Sequence, residues 1–109
     1  KEADLDAVTA VSGSGPAYVF LFLESLTEAG VEAGLSAEMA RMLATQTVLG
    51  ATQLADENNE SFKTLREQVT SPGGTTEAAL RVLMDNDALK NLIKEAMTRA
   101  AERSCELAK

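Results

Sequence analysis

Residues 17–23 read AYVFLFL, an apolar run that by periodicity alone fits either a buried strand or a helix. The flanking sequence favours the helix. Leu26 and Ala29 continue a row from Phe22 at the i, i+4 and i+7 spacing of one helical face. Pro16 precedes the run, and a first helical turn tolerates proline because the missing N–H would have no partner there. We therefore predict a helix from about residue 16 to residue 29.

The composition of the remaining sequence also favours helices. Eighteen alanines and fourteen leucines stand against seven valines and one isoleucine, and alanine and leucine are the better helix formers. Ser36 is placed as the N-cap of a second helix, which ends at 56–59. We predict an all-α bundle of about five helices, with a strand-like segment at 8–11. The last three helices are expected over 61–69, from the 70–77 break to about 84, and from a cap at Asp87 onward.

Length and charge exclude several classes of function. The 109 residues amount to one domain. A net charge of -7 opposes binding to nucleic acid or to anionic membranes, so neither is expected as a partner. One cysteine and no histidine exclude an internal disulfide and the usual zinc sites. The N-terminal sequence is unlike a signal peptide, which favours a cytoplasmic location, and its start without methionine indicates a piece of a longer protein.

The apolar first helix favours a second subunit. Its run at 17–23 is too short to span a bilayer, yet it is apolar on every face. A domain of this size hides only about 60 to 65% of the surface of its unfolded chain, so one side of the domain does not suffice to bury such a helix. Gly50, Ala51 and Ala55 would permit close approach of helices. We expect a homodimer of interleaved helices; the alternative is a monomeric bundle with an efficient core.

Residues 72–77, Pro-Gly-Gly-Thr-Thr-Glu, are the stronger of two candidate sites. The glycines let the backbone turn, and the next residues place hydroxyls and unpaired amide N–H groups at a helix N-terminus. Such an end binds a carboxylate or phosphate without arginine. No Gly-Lys-Ser/Thr follows, so this is not a Walker loop. The open alternative is plain helix capping by Thr75 or Thr76.

The other candidates favour structural interpretations. Residues 12–18 superficially resemble a dinucleotide loop, but Tyr18 stands at the third glycine position, so a tight turn before a helix is the preferred interpretation. The acidic strip of Glu24, Glu28 and Glu32 is interpreted as a solvated helix face, and no metal site is expected. Cys105 lies on a charged helix end with no histidine in the chain and is interpreted as an ordinary thiol.

Two long stretches carry a resemblance to a known family. Residues 69–83, VTSPGGTTEAALRVL, look like the signature segment of pyrroline-5-carboxylate reductase, and residues 6–18, DAVTAVSGSGPAY, resemble its other hallmark stretch. Residues 30–35 and 39–50 fit as well. The resemblance covers the whole chain, 1–109, as the C-terminal all-α dimerisation and substrate-binding domain. It implies that an N-terminal Rossmann domain, absent from this chain, holds most of the NADPH or NADH.

The resemblance implies an activity and site residues. The family reduces 1-pyrroline-5-carboxylate to L-proline, the last step of proline biosynthesis, as dimers that often assemble into rings. The substrate carboxylate would lie at the amides of Gly74, Thr75 and Thr76 with the Thr76 hydroxyl; the Thr75 side chain is not expected to be required. Ser71 would shape the loop or contact the region of the ring nitrogen. The remaining implied positions are Glu2 near the substrate amine, Gln68 near the nicotinamide, and Thr9 as a weaker candidate for proton delivery.

Two other interpretations stay open. One is the helical domain of another two-domain NAD(P)-dependent imine or hydroxyacid reductase, which would normally carry a catalytic lysine; Lys63, Lys90 and Lys94 lie in no such motif. The other is a non-enzymatic helical adaptor, which leaves the turns at 12–15 and 72–74 without a role. Under the reductase interpretation the fragment alone is expected to be inactive.

Overall fold

The computed structural model describes residues 2–109, with the side chain of Glu2 outside the described part, and within them the chain is helical without a strand. The all-α prediction is confirmed. The predicted five helices correspond to α2–α6, and a further helix, α1, precedes them. The α-helices are α1 (Glu2–Val8), α2 (Gly15–Glu32), α3 (Ala37–Asp56), α4 (Phe62–Gln68), α5 (Thr75–Leu83) and α6 (Ala88–Leu107).

The strand-like interpretation of residues 8–11 is wrong, because α1 continues into a π-helical turn over Thr9–Gly13. The amide of Ser14 donates to the carbonyl of Thr9 at 2.8 Å, the wide spacing of a π turn. The Ser12 hydroxyl donates to the Val8 carbonyl at 2.9 Å and supports the same turn. The β-branched residues that suggested a strand are held in this helical path.

The chain divides into two compact units. The first comprises the chain up to Pro16 together with Gln68–Lys109, and the second comprises Ala17–Glu67. In the first unit α1 and the π turn pack on α6, where Ala10 is completely buried. The Ser104 hydroxyl of α6 donates to the Asp6 carboxylate of α1 at 2.7 Å, which fastens two helices that are far apart in sequence.

In the second unit, small residues bring α2 and α3 together. Gly30 of α2 lies so close to α3 that a Cβ placed there would be 3.2 Å from the Cβ of Ala40. Ala40 and Ala44 are the buried residues of α3. Ser36 is the N-cap of α3, as predicted, and its hydroxyl accepts the Met39 amide at 3.1 Å. The close approach therefore depends on residues with little or no side chain.

Asp87 stands at the N-cap position of α6, as predicted, but its side chain does not cap the helix. Asn86 and Asp87 both have left-handed backbones, with φ of 52° and 55°. Asparagine and aspartate are the non-glycine residues that adopt this conformation most readily, because their short polar side chains can form local hydrogen bonds. The side-chain amide of Asn91, in α6, donates to the Asn86 carbonyl at 3.2 Å and stabilises the connection between α5 and α6.

Most large apolar side chains remain exposed in the single chain. Phe20 and Phe22 of α2 are 68% and 51% exposed, and Leu92 of α6 is 64% exposed. The only buried apolar residues among those described are the three alanines named above. A stable fold covers such side chains, each of which contributes about 1.5–3 kcal/mol on burial. The apolar faces of α2 and α6 are therefore uncovered in the single chain.

Residues 3–32 form a helical stretch of 30 residues that is long and apolar enough to cross a membrane by length and composition. The expectation of a segment too short to span considered only the apolar run at 17–23; the continuous helix is longer. A helix that pairs with another protein chain passes the same test. Length and composition alone therefore assign this helix to neither environment.

Candidate functional site

A tight turn over Ser71–Gly74 leads into α5. The amide of Gly74 donates to the carbonyl of Ser71 at 3.0 Å and closes the turn. Pro72 and Gly73 occupy its two central positions, and Gly73 has φ of 72°. This is the arrangement of a type II turn, in which the third position favours glycine. The sequence Ser-Pro-Gly-Gly thus encodes the turn through proline's fixed φ and glycine's freedom.

Gly74 is the N-cap of α5, in an extended conformation, and its carbonyl accepts the Ala78 amide at 3.2 Å. A Cβ at Gly74 would lie 3.2 Å from the Ser71 carbonyl oxygen, so a side chain would crowd the turn. Within the described residues no side chain caps this end of the helix. The capping alternative for Thr75 and Thr76 is therefore not what the structure contains: both lie inside the first turn.

The first-turn amides of Thr75 and Thr76 are the donors that this geometry offers to a ligand. Both residues are exposed, as is Ser71. The Gly74 amide differs, because it already donates to Ser71 within the turn. Of the three amides expected to bind an anion, those of Thr75 and Thr76 thus remain available to a ligand. Gly74 has no side chain to crowd the turn, and its carbonyl accepts the first hydrogen bond of α5.

Glu77, the last residue of the 72–77 stretch, and Arg81 extend the site along α5, and the sequence analysis assigned no role to either side chain. One carboxylate oxygen of Glu77, Oε1, accepts the Gly73 amide at 3.2 Å and an Arg81 guanidinium N–H at 3.1 Å. Glu77 is the third residue of α5. A glutamate at this position of a helix, followed four residues later by arginine, is a signal that could have identified the pair.

Thr9 lies elsewhere in the first unit. It belongs to the π turn and lines a cavity of about 450 Å³ together with Asp6, Ser104 and Cys105, in the region where α1 meets α6. The residues of the α5 turn do not line that cavity. The structure thus groups Ser71, Gly74, Thr75 and Thr76, and places Thr9 with a different set of side chains.

The other two candidates are placed only in part. Gln68 is exposed and is the last residue of α4, shortly before the turn. The side chain of Glu2 lies outside the described residues, so its expected position near the substrate amine stays a prediction. The Ser12–Gly15 segment is part of a helical path and not a dinucleotide loop, which agrees with the preference against such a loop.

The described residues contain no group of three or more acidic or cysteine side chains suited to hold a metal ion. Cys105 is exposed on α6. The α5 turn offers backbone amides and hydroxyls at a helix N-terminus, which are groups that can recognise an anion.

A family model for pyrroline-5-carboxylate reductase dimerisation matches residues 2–107. The chain belongs to this family. The resemblance read from residues 6–18 and 69–83 is thereby confirmed, and a dimerisation domain implies an oligomer.

Individual members of the family are similar over nearly the whole chain. The pyrroline-5-carboxylate reductase of Pseudomonas aeruginosa is 50% identical over 107 residues, which cover 98% of this chain and 39% of that protein. The reductase of Arabidopsis thaliana is 46% identical over 106 residues, covering 97% of this chain and 38% of that protein. The chain thus spans about two fifths of these relatives' length.

Solved structures of the family have the same fold. The pyrroline-5-carboxylate reductase of Coxiella burnetii matches with a TM-score of 0.95 at 48% identity, covering 100% of this chain and 40% of that one. The Plasmodium falciparum enzyme, solved with NADP bound, matches with a TM-score of 0.93 at 39% identity, covering 100% of this chain and 41% of that one. These relatives are pyrroline-5-carboxylate reductases, and one of them was solved with NADP bound.

Proposed function

We propose that this chain is the dimerisation and substrate half of an NAD(P)-dependent pyrroline-5-carboxylate reductase, which forms L-proline in proline biosynthesis. The observation that carries the proposal is the uncapped N-terminus of α5, framed by the Ser71–Gly74 turn, in a chain that belongs to the dimerisation family. The substrate, 1-pyrroline-5-carboxylate, carries the anion that such a helix end recognises.

The substrate carboxylate binds at the amides of Thr75 and Thr76 and at the Thr76 hydroxyl in this proposal. Gly74 keeps the approach free of a side chain, since a Cβ there would press on the Ser71 carbonyl. Ser71 holds the turn through that carbonyl and leaves its hydroxyl exposed toward solvent or substrate. The Thr75 side chain is not required, because its amide alone supplies the hydrogen bond.

The reaction asks for little acid–base chemistry from this chain. The nicotinamide supplies a hydride to the carbon of the protonated cyclic imine when it is bound. The residues of the α5 turn hold the substrate in one orientation, and holding two reactants together removes several kcal/mol of barrier. The proton comes from solvent or from the substrate itself. Thr9 stays a weaker candidate for proton delivery, since it lines the cavity between α1 and α6, which the residues of the α5 turn do not line.

The cofactor, NADPH or NADH, is bound mainly by a Rossmann domain outside this chain. The described residues contain no strand, and residues 12–15 are not a phosphate-binding loop, so they do not fit a dinucleotide. Gln68 fits a minor contact, because its side chain is exposed at the end of α4, ahead of the turn. Glu2 stays a prediction for the substrate amine.

A second copy of the chain covers the apolar face of α2 in the proposed homodimer. Phe20 and Phe22 are more than half exposed in one copy, and obligate interfaces are rich in such side chains. A ring of several dimers is compatible with the same contacts. We also propose a cytoplasmic location for the enzyme, with neither nucleic acid nor membrane as a partner.

The deciding experiment uses the full open reading frame that encodes this chain. The purified protein is mixed with 1-pyrroline-5-carboxylate and reduced nicotinamide, and the loss of nicotinamide absorbance is followed. Turnover with formation of L-proline supports the proposal. Turnover only with a different imine or with a hydroxyacid's keto form would indicate a sister reductase, and no turnover with any of them would indicate a helical adaptor.

A further inference from the structure

Glu77 is engaged on two sides at the entrance of α5. Its Oε1 accepts the amide of Gly73 at 3.2 Å and the guanidinium of Arg81 at 3.1 Å. The Glu77 side chain is 35% exposed, whereas that of Arg81 is 77% exposed. The carboxylate is thus held against the turn, and the arginine reaches it from the solvent side.

The hydrogen bond to Gly73 departs from the usual pattern of a helix start. A glutamate at the third helical position normally accepts the amide of the N-cap residue. Here the N-cap is Gly74, and its amide already donates to the Ser71 carbonyl. Glu77 takes the preceding amide instead, which fixes the left-handed Gly73. The amides of Thr75 and Thr76 are left to a ligand.

The charge of Glu77 poses a difficulty for an anionic ligand. An uncompensated carboxylate beside the first turn of α5 would repel a substrate carboxylate placed there. The Arg81 guanidinium donates to Glu77 Oε1, the same oxygen that accepts the Gly73 amide, and its positive charge offsets that of the carboxylate.

We propose that Glu77 and Arg81 are positioning residues for the substrate carboxylate: Glu77 fixes the glycine turn, and Arg81 neutralises Glu77 so that the α5 amides attract an anion. This inference rests on the proposed function. It assigns a role in substrate affinity to two side chains that do not touch the substrate.

The test compares variants of the full-length reductase that contains this chain. Arg81→Gln leaves the charge of Glu77 uncompensated and is expected to raise the KM for 1-pyrroline-5-carboxylate about two- to fivefold, with kcat and the KM for the nicotinamide unchanged. The effect shrinks as salt is added, because salt screens exposed charges. The melting temperature stays close to that of the parent protein.

The double variant E77Q/R81Q is the rescue experiment. The amide oxygen that replaces the Glu77 carboxylate still accepts the Gly73 amide but carries no charge, so the KM is expected to return to the parent value. E77A/R81Q removes the acceptor as well, and its KM is expected to stay high. Arg99→Gln is the matched control, because Arg99 pairs with Glu102 at 3.0 Å on the exposed surface of α6, and its KM should not change.

Two failures are distinguishable. A parent protein that reduces no pyrroline-5-carboxylate overturns the proposed function and this inference with it. An active parent protein whose KM is unchanged in Arg81→Gln, or whose KM is not restored in E77Q/R81Q, overturns the positioning role alone.

Discussion

The turn before α5 and the apolar face of α2 differ in where their partners lie. The turn is closed by its own neighbours: Gly74 donates to Ser71, and Gly73 donates to Glu77. On α2, Phe20 and Phe22 have no comparable cover within the chain and remain more than half exposed. The candidate site can therefore form from local sequence, whereas the apolar face of α2 has no such local cover and is the face that our proposed homodimer would bury.

The comparison also separates two kinds of glycine. Gly30 is already in contact within one chain, since a Cβ there would meet Ala40 at 3.2 Å. Gly50 of α3 has open space around it in one chain. Glycine in a helix costs stability, and at Gly50 no contact within the chain requires it; the open space leaves room for a helix of the proposed second copy.

Phe22→Asp is expected to have the largest effect, because it places a charge on the face that a second copy would cover. Removing a buried phenylalanine alone costs about 3–5 kcal/mol, and an unpaired buried charge adds to this. The variant should become monomeric or unfold, as measured by light scattering together with circular dichroism. Glu28→Gln on the same helix is the control and should keep the parent mass. A Phe22→Asp protein with unchanged oligomeric mass would contradict the covered face.

Thr76→Val is expected to impair substrate use while leaving the fold intact. The hydroxyl is exposed, so its loss costs the fold little, but a hydrogen bond to a charged ligand contributes about 1.5–3 kcal/mol. The KM for the imine should rise by about tenfold or more, with the melting temperature unchanged. Thr75→Val is the matched control and should have little effect. A fall in melting temperature that parallels the loss of activity would assign Thr76 to the fold.

Gly73→Ala is expected to strain the turn. The left-handed φ of 72° costs a residue with a Cβ roughly 1–2 kcal/mol. The turn should open part of the time, which raises the KM for the imine and lowers the denaturation midpoint at every protein concentration. Asn86→Gly is the opposite control: it relieves a φ of 52° and should raise the midpoint. Gly73→Ala with parent stability and KM would show that the turn does not need this conformation.

Gly50→Ala has the smallest expected effect and the most informative sign. In a lone chain alanine would stabilise α3 by about 0.5–1 kcal/mol, because nothing lies within 4 Å. If a helix of the second copy crosses there, as we expect, the dimer is weakened instead, and the loss grows on dilution. Gly30→Ala is the control whose loss should not depend on concentration. A Gly50→Ala dimer more stable than the parent would exclude a close crossing at this residue.

Helix positions followed from local signals in the sequence. Ser36 provides a side-chain cap, and α4 begins one residue after Ser61, whose hydroxyl accepts the Thr64 amide at 3.1 Å. The turn before α5 was likewise predicted from Pro72 and Gly73. These features depend on residues close in sequence, so a pattern of a few letters determines them.

Other features depend on distant residues or on rare backbone geometry, and the sequence did not predict them. The π turn at Thr9–Gly13 arises where α1 packs on α6 and buries Ala10. Aspartate is a common N-cap residue, but Asp87 has a left-handed backbone and its side chain makes no capping hydrogen bond. The hydrogen bond from the Gly74 amide to the Ser71 carbonyl depends on the backbone angles of the turn, so residue spacing alone leaves that amide as a free donor.

The hydrogen bond between Ser104 and Asp6 has a consequence for the order in which the molecule forms. The second unit is continuous in sequence, from Ala17 to Glu67, while the first is assembled from both ends of the chain. During synthesis the helices of the continuous unit can form as soon as they emerge, since chains fold progressively from the N-terminal side. The Asp6 carboxylate of α1 can accept its hydrogen bond only after α6, which carries the Ser104 hydroxyl, has been synthesised. Closure of the first unit therefore requires α6, which is synthesised after the whole of the second unit.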